Sequence, residues 1–251
     1  MTAHAGVGHQ GGPLSATDLF VGLYFHALRV NPAHPDWPDR DRFVLSKGHA
    51  ASGFYATLAE RGFLPVEELL TFGLIDSRLQ LHPDMHLVPG VEASTGSLGQ
   101  GLSIAVGMAL GAKMDRRPFH VYAMISDGES QEGQIWEAAM AAGNWQLDRL
   151  TVVLDYNDVQ QCGPVSGQMD IAPVVDKWRA FRWHTLEIDG HDMAAIVRAL
   201  DEARTVPGKP TLIVAHTVKG KGVSFMEHNF EWHSKPLTPE LTAQALAELR
   251  A

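Results

Sequence analysis

Two short apolar runs constrain the architecture most. Val121 to Ile125 reads Val-Tyr-Ala-Met-Ile, and Leu150 to Leu154 reads Leu-Thr-Val-Val-Leu. The stretch between them, Ile135 to Asn144, reads as helix. A strand that is apolar along its length, rather than at alternate positions, is buried on both faces. A helix between two such strands carries the chain back, so the strands lie parallel. The pattern continues with helix at Pro173 to Phe181, strand at Thr185 to Ile188 and strand at Leu212 to Ala215. Met193, Ile196, Val197 and Leu200 recur at helical spacing and mark one buried face. The expected class is α/β, a parallel sheet with helices on both faces.

The first hundred residues fit around this sheet. Pro13 can open a helix from about Leu14 to Val30, since proline in the first turn loses no hydrogen bond. Asn31 to Asp41 holds three prolines and reads as loop. Ala50 to Glu60 is helical and stops at Gly62, Val66 to Phe72 is a short helix, and Gly73 to Gly96 is mostly loop. Leu98 to Met114 reads as a buried helix of small residues, and Thr238-Pro239 begins a last helix. With no repeat, linker or low-complexity tract, residues 1–251 are expected to form one domain.

Charge narrows the partners. The formal charge is -9, from 20 Lys+Arg against 29 Asp+Glu, with no basic run. Nucleic acid and anionic membranes are poor partners for such a chain. A single cysteine, Cys162, rules out an internal disulfide and fits a reducing compartment. Met1 to Gly12 lacks the features of a signal peptide, and Gly22, His26 and Arg29 break the longest apolar stretch. The expected location is cytoplasmic.

In parallel sheets ligands sit beyond the carboxyl ends of the strands. The loops of interest therefore follow Ile125, Leu154 and Ala215. The first reads Ser126-Asp127-Gly128-Glu129-Ser130-Gln131-Glu132-Gly133, and the second Asp155-Tyr156-Asn157-Asp158-Val159. Asp127 and Asn157 offer oxygen ligands from successive strands, as a hard cation such as Mg²⁺ requires. Gly128 allows the backbone close to a phosphate. Alone, Asp-Gly is more often only a turn signal; its pairing with Asn157 on the next strand reverses that weight.

That pairing resembles the diphosphate-binding signature of thiamine-diphosphate enzymes. Further segments narrow the resemblance to transketolase: Gly8 to Ser15, Asp41 to Ala50, Leu81-His82-Pro83-Asp84, Ser94 to Gly101, and Thr217 to Leu237 with Lys219-Gly220-Lys221-Gly222 and Trp232-His233. They span nearly the whole chain in order. The resemblance implies a thiamine-diphosphate-binding fold, with Asp127, Asn157 and the Val159 carbonyl holding Mg²⁺. It implies that Gly128 and Asn157 touch the diphosphate and that Gly96, Ser97 and Leu98 line the cofactor pocket. His49 and His233 would contact the cofactor, with His228 a competitor for the second role. His9 and His82 would contact sugar hydroxyls or move protons. Glu132 would join a carboxylate network between subunits, or else be a plain carboxylate at a helix N-terminus.

Imidazole suits proton transfer near pH 7 because it both donates and accepts there. Of the 13 histidines, His26, His34, His184 and His216 read as ordinary polar residues. His82 and His86 are four apart, but Pro83, Pro89 and the lack of a third ligand disfavour zinc. Cys162 has no evident base and reads as a small residue rather than a nucleophile.

The resemblance covers only the diphosphate-binding part of a transketolase. The chain therefore resembles the N-terminal subunit of a split enzyme. That implies a partner subunit with the pyrimidine-binding domain, joined in a heterotetramer. It also implies ketose and aldose substrates, phosphorylated. The implied reaction transfers a two-carbon ketol unit through thiamine diphosphate. Rival expectations are a carboligase joining a 2-oxo acid to an aldehyde, and a non-catalytic regulatory subunit. Gln10 stands where the family has proline, and Ser126 where it has glycine. Only eight residues precede His9, so support from a leading helix is expected to be reduced.

Overall fold

A computed structural model describes all 251 residues. In chain order the strands are β1 (Arg42–Leu45), β2 (Val121–Ser126), β3 (Leu150–Tyr156), β4 (Val159–Gln160), β5 (Gly163–Pro164), β6 (His184–Asp189) and β7 (Thr211–His216). Five form one sheet in the order β1-β2-β3-β7-β6, and every neighbouring pair is parallel. β4 and β5 form a small antiparallel ribbon just after β3. The helices are α1 (Thr2–Ala5), α2 (Gly11–Ser15), α3 (Thr17–Gly22), α4 (Ala51–Glu60), α5 (Gln100–Met114), α6 (Gly133–Asn144), α7 (Val165–Gln168), α8 (Val174–Ala180), α9 (Met193–Ala203) and α10 (Pro239–Glu248). No helix is long and apolar enough to cross a membrane.

Successive residues of a strand face opposite ways, and each sheet face builds its own core. Phe43, Leu45, Tyr122, Met124, Val153 and Ile213 join Phe20, Phe54, Leu58 and Leu200 on one face. Val44, Ala123, Ile125, Val152, Leu154 and Val214 join Leu102, Val106, Ile135 and Trp178 on the other. β2 is buried at all six positions, as its apolar run requires. β6 is only half buried, because it is an edge strand.

The structure departs from the sequence-based expectation in three places. β1 has no counterpart among the expected strands: four residues behind a charged stretch give almost no periodicity. It becomes a strand because β2 offers it an open edge and Asp41, fully buried, is neutralised by Arg29 and Arg204. The helix expected from Leu14 to Val30 begins earlier, at Gly11, and is interrupted at Ala16. Pro13 lies within its first turn, where any of the opening N–H groups is dispensable. It ends in a π-turn at Leu23–Ala27, and Leu28 is already extended. Met193 is exposed, at the first position of α9, and Val197 is only partly buried. Ala199 and Ala203 join Ile196 and Leu200 instead, since small residues permit the closest helix approach.

Candidate active site

The carboxyl ends of β1, β2, β3 and β7 open into one cavity of about 230 Å³. Lys47 and His49 reach it from β1, Ser126 to Glu129 from β2, Asn157 and Val159 from β3, and Lys219 from β7. His82, Gly96, Leu98 and His233 close its rim. A Cβ on Gly48 would stand 2.7 Å from the main chain of Thr95. Glycine there lets the His49 turn press against the Gly96 loop.

Four imidazoles gather on one side. The ring centroid of His9 lies 5.2 Å from His49, 6.1 Å from His82 and 5.0 Å from His233, and His49 lies 5.1 Å from His233. Burial, then the neighbouring His82 and Lys219, lowers His9 to about 4. Burial, then Lys219 and His9, lowers His233 to about 3. His49 is held well below the ordinary value by burial and by Lys47, and burial also lowers His82. His233 Nδ1 is 3.1 Å from the Lys219 ammonium, a geometry that only an unprotonated nitrogen accepts. His9 Nδ1 is buried without a protein partner. These rings are thus neutral near pH 7, able to donate at one nitrogen and accept at the other. Imidazole NMR signals of His9 and His233 are expected to stay in the neutral form down to pH 5, whereas an ordinary imidazole titrates near about 6.5. Midpoints at or above 6 for both would contradict the crowded, desolvated cluster.

Lys219 joins this cluster to an oxygen-rich corner. Asp127 is 1% exposed. Its Oδ1 accepts from the Gly128 N–H at 2.7 Å and its Oδ2 from the Asn157 N–H at 2.8 Å, with the Asp158 N–H donating to Oδ2 as well. Burial and the nearby Asp155 raise Asp127 to about 6 despite these donors. Asn157 Oδ1 accepts from the Val159 N–H at 3.1 Å. The Lys219 ammonium donates to the Val159 carbonyl at 2.7 Å. Burial lowers Lys219 to about 8.

Behind this corner lies a polar hub. Asp155 is fully buried and pairs with Lys47, itself 1% exposed. Ser15 and Thr217 also donate to Asp155, and Asn157 Nδ2 lies 3.3 Å from it. Burial pushes the Asp155 carboxyl up, but the charge and hydrogen bond of Lys47 outweigh it and hold the group below its usual range. Glu129 ties three loops together: its carboxylate accepts from the Ser46 hydroxyl, the Gly99 N–H and the Ser126 N–H. Burial dominates there and raises Glu129 to about 7.

Most of the residues singled out by sequence therefore meet at one place: His9, His49, His82, His233, Gly96, Leu98, Asp127, Gly128, Asn157 and Val159. Ser97 and Glu132 do not line the cavity. Ser97 is exposed, and Glu132 is the N-cap residue of α6, outside the cavity wall. His228 adopts a left-handed φ of 58° and lies off the cavity, so only His233 faces it. Cys162 is exposed in the turn between β4 and β5. No group of three or more His, Cys, Asp or Glu converges as in a zinc site. Lys47, Lys219, Glu129 and Asp155 belong to the site although sequence reasoning does not single them out. Each lies inside a segment already picked out, but a buried charge shows itself only when its partner from another strand is placed beside it.

A model of the family described as "Transketolase, thiamine diphosphate binding domain" matches residues 1–249. The chain belongs to the transketolase family. It is 48% identical over 244 residues to the 6-deoxy-6-sulfo-D-fructose transketolase subunit SqwG of Clostridium sp. (strain MSTE9), covering 97% of this chain and 89% of that protein. It is 42% identical to an apulose-4-phosphate transketolase subunit of Phocaeicola vulgatus, covering 98% and 87%. Against the transketolase of Mus musculus the identity is 41%, but the match spans only 39% of the mouse protein. The solved transketolase of Pichia stipitis in complex with xylulose 5-phosphate superposes with a TM-score of 0.93 at 33% identity, over 99% of this chain and 38% of that one. The chain is thus a transketolase-like enzyme subunit, matched along its length by subunits of split transketolases and built on the same parallel α/β fold.

Proposed function

We propose that this subunit holds the diphosphate end of thiamine diphosphate together with Mg²⁺, and that with a partner it transfers a two-carbon ketol unit from a ketose to an aldose. The observation that carries this reading is a hard oxygen corner and three neutral histidines, His49, His82 and His233, lining one cavity, with His9 packed against all three rings. Three donors are all oxygen: the Asp127 carboxylate, the Asn157 amide oxygen and the Val159 carbonyl. That set suits Mg²⁺, which binds through one or two carboxylates and completes its shell with phosphate oxygens. A dication there would also relieve the repulsion between Asp127 and Asp155. A Cβ on Gly128 would stand 2.9 Å from Gln160 Cβ, so glycine lets the loop after β2 pack against β4.

When bound, the cofactor supplies a carbon nucleophile that cleaves the ketose beside its carbonyl. The remaining work belongs to this chain. Lys219 neutralises phosphate charge, while Lys47 stays committed to Asp155. His49 and His233 face the cofactor. His9 and His82 hold or move protons at the sugar hydroxyls and the reacting carbonyl. Gly96 and Leu98 lie along the cofactor, with Ser97 exposed between them, and Glu132 meets a neighbouring subunit. Residues 1–251 act as one diphosphate-binding domain in the cytoplasm.

The partner is a C-terminal transketolase subunit carrying the pyrimidine-binding domain, in a heterotetramer. Relatives of similar length are named as subunits, and full-length transketolases are more than twice as long as the matched part. Their named substrates, a sulfonated ketose and a ketose phosphate, support an anionic sugar. The test mixes this chain with its partner, thiamine diphosphate and Mg²⁺. Ketol exchange between a ketose phosphate and an aldose, without CO₂, is expected only from the mixture. Turnover by this chain alone, or consumption of pyruvate with CO₂ release, would reject the reading.

A further inference from the structure

The turn that leaves β6 presses onto the end of β7. The Gly190 N–H donates to the His216 carbonyl at 2.8 Å, and a Cβ on Gly190 would stand 2.4 Å from Thr217 Cγ2. The next residue, His191, has a side chain only 13% exposed. Its Nε2 accepts from the Val218 N–H at 2.9 Å, and its Nδ1 lies 2.8 Å from Asp18 Oδ2 on α3. A main-chain amide only donates, so Nε2 carries no proton. The ring proton therefore sits on Nδ1 and is donated to Asp18. The Asp189 carboxylate accepts the His191 N–H at 2.8 Å and fixes the turn itself.

Val218 directly precedes Lys219, whose ammonium reaches between the Val159 carbonyl and His233 Nδ1. We propose that His191, oriented by Asp18, is a positioning residue that anchors Val218 and so sets where the Lys219 ammonium stands. Through Lys219 it sets the affinity for the cofactor's diphosphate. This inference rests on the reading of the cavity as a diphosphate site.

Two near-isosteric variants separate the halves of the imidazole. His191→Gln carries an acceptor near the place of Nε2. His191→Asn keeps a donor near Nδ1 and offers Val218 nothing. Magnesium thiamine diphosphate is titrated calorimetrically into the full chain assembled with its partner, with Lys219→Met as reference. His191→Asn is expected to weaken binding about five- to tenfold, the effect of one lost hydrogen bond. His191→Gln is expected to stay within about twofold of wild type by the same reasoning. Thermal midpoints should fall similarly in both, since each loses one bond. Imidazole ¹⁵N shifts of the wild type should report the Nδ1–H tautomer. Equal binding by His191→Asn and wild type, or equal losses in the Asn and Gln variants, would overturn the positioning role. Unchanged binding by Lys219→Met would overturn the diphosphate reading instead, and the inference with it.

Discussion

Replacing Asp127 by alanine is expected to abolish the Mg²⁺-dependent retention of thiamine diphosphate in the assembled enzyme. Asp127 supplies the one formal negative charge in the proposed donor set; the Asn157 and Val159 oxygens are neutral. Removing one member of a buried charge pair typically weakens binding on the order of a hundredfold or more. Asp127→Asn sharpens the test, because the amide keeps the shape and loses the charge. Cofactor affinity measured with Mg²⁺ and with a chelator should differ in the wild type and coincide in both variants. In the metal-free subunit Asp127 should lower stability as the pH rises through about 6. Its carboxylate is buried beside Asp155 and raised to about 6, so ionisation there costs folding energy. Full cofactor affinity with undiminished metal dependence in Asp127→Ala would remove the metal assignment.

The second large effect is on stability. Lys47→Met leaves Asp155, at 0% exposure, without its paired ammonium. Breaking a buried pair on one side costs about 3–5 kcal/mol, which in a chain of this size lowers the thermal midpoint by roughly 10 °C. Ser15, Thr217 and Asn157 still surround the carboxylate, but they bring no charge. The double variant Lys47→Met with Asp155→Asn removes both charges and should recover much of the loss. A loss under about 1 kcal/mol in Lys47→Met, the size seen for exposed pairs, would show that the hub is solvated.

Much of this architecture is legible along the chain. β2 and β3 announce themselves as continuous apolar runs, and the polar residues that end them mark the site, because parallel strands place all their carboxyl ends together. β1 is silent: it is four residues long, and its burial depends on a salt-bridged Asp41 that only the folded chain assembles. The same limit hides Lys47, Glu129 and Asp155. A residue's spacing reports its own helix or strand, while the buried charge of Asp155 is explained by Lys47, 108 positions away. Ser97 and Glu132 show the converse: they sit inside matching segments, yet neither side chain lines the cavity of the isolated subunit.

The contact between Lys219 and the Val159 carbonyl bears on how the subunit is loaded. An arriving ion meets a tethered placeholder rather than bare oxygens, and the loop keeps its shape beforehand. Loading of the proposed Mg²⁺ would then be an exchange of one cation for another, with the freed lysine left beside the anion that the newcomer brings.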